Sequence, residues 1–514
     1  MTKILSLLLT SWFLCGFSQQ EKPLHVVFIA VDDLKPAIGS FGDDFAITPN
    51  MDLLARKSSL FLNNHTQLAV CSPSRVSLLT GLRPDKTKVY DLKTKMRDIN
   101  PSVVTLPQHF KAMGYTTAGI GKVFDHRGVD KHSDKPSWSI PFKRDHHLEY
   151  PKPWGPPVMG HYQSEEIKSK IDSFITHDII KKGSNISKGL KGMYRPPVSS
   201  SLAPDEAYAD GATAKEALRM LDELSKNNKP FFLAVGFKRP HLPFSAPQKY
   251  WDLYKREQIV IEPYRQRAEN TGELAYHGSG ELRAYIEEGR DYKTDFNNQL
   301  ILDEEFQREL IHGYYACVSF IDFQIGKIVN SLTEKGLMNN TIIVIWGDHG
   351  YHLGDHRLWN KHSNFEQATR SPLMIYYPKA KTPQKILVST EFVDVFPTLT
   401  SLAEVNSAKD LDGTSLAPLM MGQHKKVKDF AVSQFRRSGK MGYSFRTERY
   451  RYTLWISQSK IGSQIHDSDI VQEELFDYRE DPLETENHVG KEGYDAIYNQ
   501  LKQQAIAFLS STSQ

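Results

Sequence analysis

Four short apolar runs constrain this chain most: HVVFIAVDD at 25–33, FFLAVGF at 231–237, TIIVIWGDHG at 341–350 and PLMIYYP at 372–378. Each is near-continuous in Val, Ile, Leu or Phe, which suits interior strands covered on both faces of a sheet. Helix-like segments lie between them, among them MDLLARKSS after Pro49, TLPQHFKAMG and DGATAKEALRMLDELSKNN. This mixture over the first ~400 residues predicts an α/β domain.

In such sheets the chemistry collects beyond the carboxyl ends of the strands. Three of the four runs end in suitable groups: Asp32 and Asp33; Lys238, Arg239, Pro240 and His241; Asp348 and His349. A turn would explain any one ending, but three together predict a single shared site. Adjacent aspartates repel unless something positive lies between them, and a divalent cation is the usual remedy. An N-cap or turn is the plainer role for a lone Asp pair; Asp348, on a second strand, favours a metal. Oxygen ligands point to Ca²⁺ or Mg²⁺, with His349 as an optional nitrogen ligand.

Between about 125 and 205 the chain is rich in Pro, Lys, His and aromatic residues without clear periodicity, which predicts a surface loop suited to substrate contact. From about 405 the pattern changes. AVSQFRRSGKMGYSFRTERYRYTLWI alternates like antiparallel strands, and the amphipathic GYDAIYNQLKQQAIAFL is suited to pack on them as a smaller α+β unit.

The first residues, MTKILSLLLTSWFLCGFSQQ, combine a basic Lys3, an apolar core and small residues Gly16 and Ser18. This pattern predicts an export signal over 1–18, followed by a catalytic domain at 19–405 and a C-terminal subdomain at 406–514. The expected destination is the periplasm or the exterior. Lipid attachment at Cys15 is disfavoured because bulky Trp12, Phe13 and Leu14 precede it. No later run reaches about 18 apolar residues, so no membrane span is expected. A net charge of +3 over 514 residues gives no ground for a nucleic-acid partner.

Only Cys71 and Cys317 follow the leader. Cys317 lies in FQRELIHGYYACVSFIDFQIGKIVNSL, whose spacing predicts an amphipathic helix with the thiol buried; a bridge to Cys71 is the lesser alternative. Cys71 opens CSPSRVSLLTG, where Pro73 fits a loop entering a short helix. Backbone N–H groups there favour an anion, so Cys71 is either a thiolate nucleophile or a precursor, with Arg75 close enough to fix it.

CSPSR followed by LLTG resembles the C-x-P-S-R signature of the type I sulfatases, whose cysteine is oxidised after synthesis to Cα-formylglycine. VDDLKPAIGSFGDDFAITPNMDLLA, GYTTAGIGKVF, FFLAVGFKRPHLPF, IIVIWGDHGYHLGDHRLWNKHSNFEQATRSPLMIYYP and ELFDYREDPLETEN resemble further blocks of that family in family order. The subgroup they resemble most is that of iduronate-2-sulfatase. The resemblance implies an alkaline-phosphatase-like mixed sheet flanked by helices, with a smaller C-terminal α+β subdomain on an antiparallel sheet.

It also implies one Ca²⁺ held by Asp32, Asp33, Asp348 and His349, with the modified Cys71 facing the ion. Arg75 is expected to steady formylglycine, while Lys122, His241 and Lys361 contact the sulfate ester. The implied nucleophile is the hydrated aldehyde, one hydroxyl attacking sulfur and the other allowing sulfate to leave. His241 is expected near the leaving alcohol and His126 at the return of the aldehyde. Asp125 stands where iduronate enzymes carry a histidine, so His126 serves from one residue further along. His132, His146, His147 and His352 are read as lying outside the site.

The implied partners are a formylglycine-generating enzyme and a sulfated oligo- or polysaccharide. The expected substrate is a 2-O-sulfated uronic acid or a neighbouring sugar, in a glycosaminoglycan or in an algal polymer such as ulvan. A phosphonate or phosphate ester hydrolase of the same fold and a noncatalytic glycan-binding protein are the alternatives. The N-x-S/T sites at Asn64, Asn185 and Asn339 read as surface sequence.

Overall fold

A computed structural model describes residues 22–180, 193–287 and 289–511. The expected leader with Cys15, and Asn185, lie outside the described residues.

All four apolar runs enter one seven-stranded sheet. Its strands in chain order are β1 (His25–Val31), β2 (Ser58–Phe61), β3 (Thr116–Gly121), β4 (Phe231–Phe237), β5 (Thr341–Gly347), β6 (Leu373–Tyr376) and β7 (Lys385–Ile386). Their spatial order is β7-β2-β6-β5-β1-β4-β3. β6, from PLMIYYP, runs antiparallel to both its neighbours, whereas the other pairings are parallel. An apolar run carries no direction, so this reversal is invisible in the sequence.

Both faces are covered, which is why the strands do not alternate with polar residues. Val27, Ile29 and Val31 pack with Ala214, Leu221, Cys317 and Ile321 from the Ala209–Leu224 and Glu304–Glu334 helices. Val26, Phe28 and Ala30 face Leu78, Phe110 and Leu399 on the other side. Asp303 caps the 31-residue Glu304–Glu334 helix, its carboxylate accepting from Phe306 N at 2.8 Å. Cys317 is buried within that helix, and both it and Cys71 are free thiols.

Four antiparallel strands, Ala431–Arg437, Lys440–Arg446, Tyr450–Ser457 and Ile470–Asp477, form a second sheet. Leu501, Ala505 and Leu509 of the Asp495–Ser511 helix pack on it.

The described part of the segment at 125–205 is more ordered than a loop. It contains the Glu165–Phe174 helix, capped by Ser164, and the Val198–Ser201 strand. Only Ile167 and Ile171 of that helix are buried, too few for a visible period. No helix of the described residues is long and apolar enough to cross a membrane.

Candidate active site

β4, β1 and β5 lie side by side and parallel, so their carboxyl ends meet. Val31 is in register with Phe237 on one side and with Gly347 on the other. Asp32 and Asp33, the Lys238–His241 segment, and Asp348 with His349 therefore emerge at one edge. β3, in register with β4 through Gly121 and Gly236, adds Lys122. These residues enclose the floor of a cavity of about 790 Å³ lined by Asp32, Cys71, Lys122, His241, Glu281 and Lys361.

Cys71 is the first residue of the fully buried Cys71–Thr80 helix. Its Sγ lies 3.5 Å from His349 Nε2 and 3.9 Å from Asp33 Oδ1. Burial, reinforced by Asp32, pushes the thiol well above the ordinary cysteine range. Ser74, on the same helix, donates to the Asp348 carbonyl and anchors it to the end of β5.

Arg75 is completely buried. Its Nη2 donates to Asp32 Oδ1 at 2.8 Å and its Nε to Asp348 Oδ2 at 2.9 Å, while Nη1 reaches the Lys122 carbonyl and, at 3.1 Å, the Val123 carbonyl. Arg75 thus ties the Cys71 helix to three strand ends. Lys122 Nζ approaches Asp32 Oδ2 at 2.5 Å. Lys361 Nζ bridges Asp33 Oδ2 at 2.7 Å and Glu281 Oε2 at 2.9 Å.

His241 has acceptors at both ring nitrogens: the Leu242 carbonyl 2.7 Å from Nδ1 and Glu281 Oε1 3.0 Å from Nε2. Burial opposes charge on the ring, but Asp33 and Glu281 outweigh it and raise its pKa. Burial likewise opposes ionisation of Glu281, and Lys361 with His241 overrides it, holding this carboxyl well below its usual range. Glu281 has no signal in the sequence: it is a single acid in the irregular HGSGELRAY.

Asp125 turns away to Arg127, with Oδ1 2.8 Å from Nε and Oδ2 2.7 Å from Nη2, and reaches Lys122 only at 3.7 Å. His126 is exposed and lines the cavity. His146, expected outside, also lines it, a correction that follows from the Lys238–Asp145 ion pair holding its segment at the rim. His352 is buried away from the cavity, between Asp355 at 2.5 Å and Ser363 at 2.7 Å.

The carboxylates of the donor set suit a hard cation, and the cysteine sulfur does so only once replaced by an oxygen. One ligand atom each from Asp33, Cys71, Asp348 and His349 lies within 4.8 Å of the others, and Asp32, Asp33, Cys71 and His241 form an overlapping group. Ligands on opposite sides of a Ca²⁺ are about 5 Å apart, so a single ion fits this spacing.

The Sulfatase family profile matches residues 25–405, and one for the C-terminal part of N-sulphoglucosamine sulphohydrolase matches 354–510. The chain is 31% identical to iduronate 2-sulfatase of Mus musculus, over 93% of each chain. It is 30% identical to a sulfatase of Formosa agariphila, covering 94% of this chain and 86% of that one. A solved 2-O GAG sulfatase superposes with a TM-score of 0.65 at 20% identity, covering 96% of this chain and 93% of its own, a likeness of fold. With the profile spanning most of its length, the chain belongs to the type I sulfatase family and is an enzyme that hydrolyses sulfuric esters.

Proposed function

We propose that this protein releases sulfate from a sulfated carbohydrate, a 2-O-sulfated uronic acid or a neighbouring sugar, using formylglycine made from Cys71 and one Ca²⁺. The observation that carries the reading is the position of Cys71: at the start of a buried helix, 3.5 Å from His349 Nε2, on the floor of a cavity rimmed by cations. The names of two relatives, iduronate 2-sulfatase and the ulvan-active sulfatase of Formosa agariphila, support a sugar substrate.

Asp33, Asp348 and His349, joined by Asp32 from the overlapping group, would hold the ion beside residue 71. When present, formylglycine supplies a hydrated aldehyde as oxygen nucleophile, and Ca²⁺ supplies positive charge where charge develops on the ester. Lys122 and Lys361 place two ammonium groups at the same floor, where they attract the sulfate and stabilise its added charge. His241, with acceptors at both nitrogens, is held as an imidazolium able to protonate the departing alcohol. His126, on the cavity wall, is the group we assign to the return of the aldehyde.

The assignment extends to a catalytic domain at 19–405, a C-terminal subdomain at 406–514, export to the periplasm or beyond, and a formylglycine-generating enzyme as partner. Peptide mass spectrometry across Cys71, on protein from its native host, tests the nucleophile. The aldehyde is the expected result, and an unmodified thiol in active protein would overturn it. Sulfate release from defined sulfated oligosaccharides tests the substrate. Turnover confined to aryl sulfates would overturn the carbohydrate reading, and faster turnover of matched aryl phosphonates would overturn the choice of a sulfate ester as the substrate.

A further inference from the structure

Arg239 presents an unusual electrostatic situation for a residue only 4% exposed. Its guanidinium donates from Nε to the Ser245 carbonyl at 3.2 Å, from Nη1 to the His241 carbonyl at 2.5 Å and from Nη2 to His161 Nδ1 at 2.8 Å. None of these partners is an anion, and among the described residues no carboxylate forms an ion pair with it. The nearest acid, Asp210 in the first turn of the Ala209–Leu224 helix, feels the Arg239 charge but spends its two oxygens on the backbone N–H groups of Lys238 and Arg239 at 2.7 and 3.0 Å. A buried cation with no anion in hydrogen-bond contact is costly, and an anion bound at its free N–H groups would offset that cost. Arg239 and His161 both line the cavity that contains Cys71.

The tautomer of His161 follows from this geometry. Arginine only donates, so Nδ1 must accept and Nε2 must carry the proton. Burial and the neighbouring Arg239 push the pKa of His161 well below its usual value, which keeps the ring neutral. The pair therefore offers a guanidinium with two of its five N–H groups uncommitted, beside a neutral N–H donor. This is an anion-recognition arrangement separate from the lysines over Cys71.

We propose that Arg239, oriented by His161, binds a second anionic group of the substrate, a carboxylate or second sulfate on the sugar that carries the scissile ester. This inference rests on the sulfatase reading above and extends it from the reacting sulfate to the rest of the sugar. It makes this enzyme selective for sugars with two anionic groups.

The test uses formylglycine-bearing enzyme and three monosaccharide substrates: a monosulfated neutral sugar, a 2-O-sulfated uronic acid and a disulfated sugar. Wild type should prefer one of the last two, and Arg239→Gln should lower kcat/KM on that substrate by roughly 10- to 100-fold relative to the neutral sugar. Arg239→Lys should restore part of the preference. Because Arg239 also supports the His241 carbonyl, an equal loss on all three substrates would mean a purely structural role and would overturn the proposal. So would a wild type indifferent to the second anion. Preference for the uronic acid identifies a carboxylate, and preference for the disulfated sugar a sulfate. A pair of aryl sulfates with and without a carboxylate separates the two readings. Discrimination there without turnover of any sugar keeps the anion site and removes the carbohydrate reading, whereas no discrimination in either series removes the anion site.

Discussion

Arg75 and Asp32 form an ion pair without solvent exposure, Nη2 to Oδ1 at 2.8 Å, and the same guanidinium reaches Asp348 on the next strand. The pair couples the helix that begins at Cys71 to the ends of β1 and β5. Arg75→Ala would leave two buried carboxylates short of a counter-charge. We expect a loss of about 3–5 kcal/mol, read from the shift in denaturant midpoint. Arg75→Lys keeps the charge but not the fork that reaches two carboxylates and two carbonyls, so it should fall between alanine and wild type. Equal stability of all three proteins would refute this role.

The cluster of Asp33, Asp348, His349 and residue 71 also predicts a response to calcium. Binding to the folded state alone stabilises it by RT ln(1 + [L]/Kd), about 2.7 kcal/mol at a hundredfold excess over Kd. Titrating Ca²⁺ into chelator-treated protein should raise Tm with concentration, and Asp348→Asn should abolish most of the rise. A Tm indifferent to Ca²⁺ in the wild type would count against these ligands.

Much of this site was legible because parallel strands deliver their residues to one edge. Asp32, His241 and Asp348 each followed an apolar run, and three neighbouring parallel strands bring them together. What was hidden depended on contacts distant in the chain. Glu281 lies in an irregular segment, and its meaning comes from Lys361, 80 residues away, and from His241. Arg75 read as a clamp for residue 71 because the two are one helical turn apart. Its partners across the sheet, Asp32 and Asp348, could not be paired with it by spacing. The reversed β6 was equally hidden, since burial on both faces selects the same residues in either direction.

Gly236 is a further case, and it carries its own prediction. Within FFLAVGF nothing marks it out, yet a Cβ there would lie 2.1 Å from the Lys122 carbonyl carbon and 2.5 Å from Val123 N. Those are backbone atoms, and Lys122 N also donates to the Gly236 carbonyl at 2.8 Å. Gly236→Ala should therefore push the Lys122 segment off the site. The expected cost is about 1–3 kcal/mol in stability, with a fall in kcat larger than that of Gly155→Ala, a position where a Cβ meets open space but φ is positive. Unchanged activity in Gly236→Ala would show that Lys122 tolerates displacement.

Stability should also depend on pH through the C-terminal sheet. Glu474 is buried, and its Oε1 accepts from Trp455 Nε1 at 2.9 Å and Gln472 Nε2 at 2.6 Å. Burial outweighs these bonds and raises its pKa from 4.5 to about 7. The folded state thus holds the proton more tightly than the unfolded chain. The resulting stability is fully present below pH 4.5, is lost as pH rises toward 7 and does not change further above it. The full effect has an upper bound of about 3 kcal/mol. Glu474→Gln keeps an acceptor for the Trp455 indole without a titratable proton. Its stability should fall less than that of wild type between pH 5 and 8.5, so that the variant gains relative to wild type at the alkaline end. Parallel pH profiles by denaturant unfolding would show instead that Glu474 ionises normally, with water reaching the carboxylate between the two sheet strands.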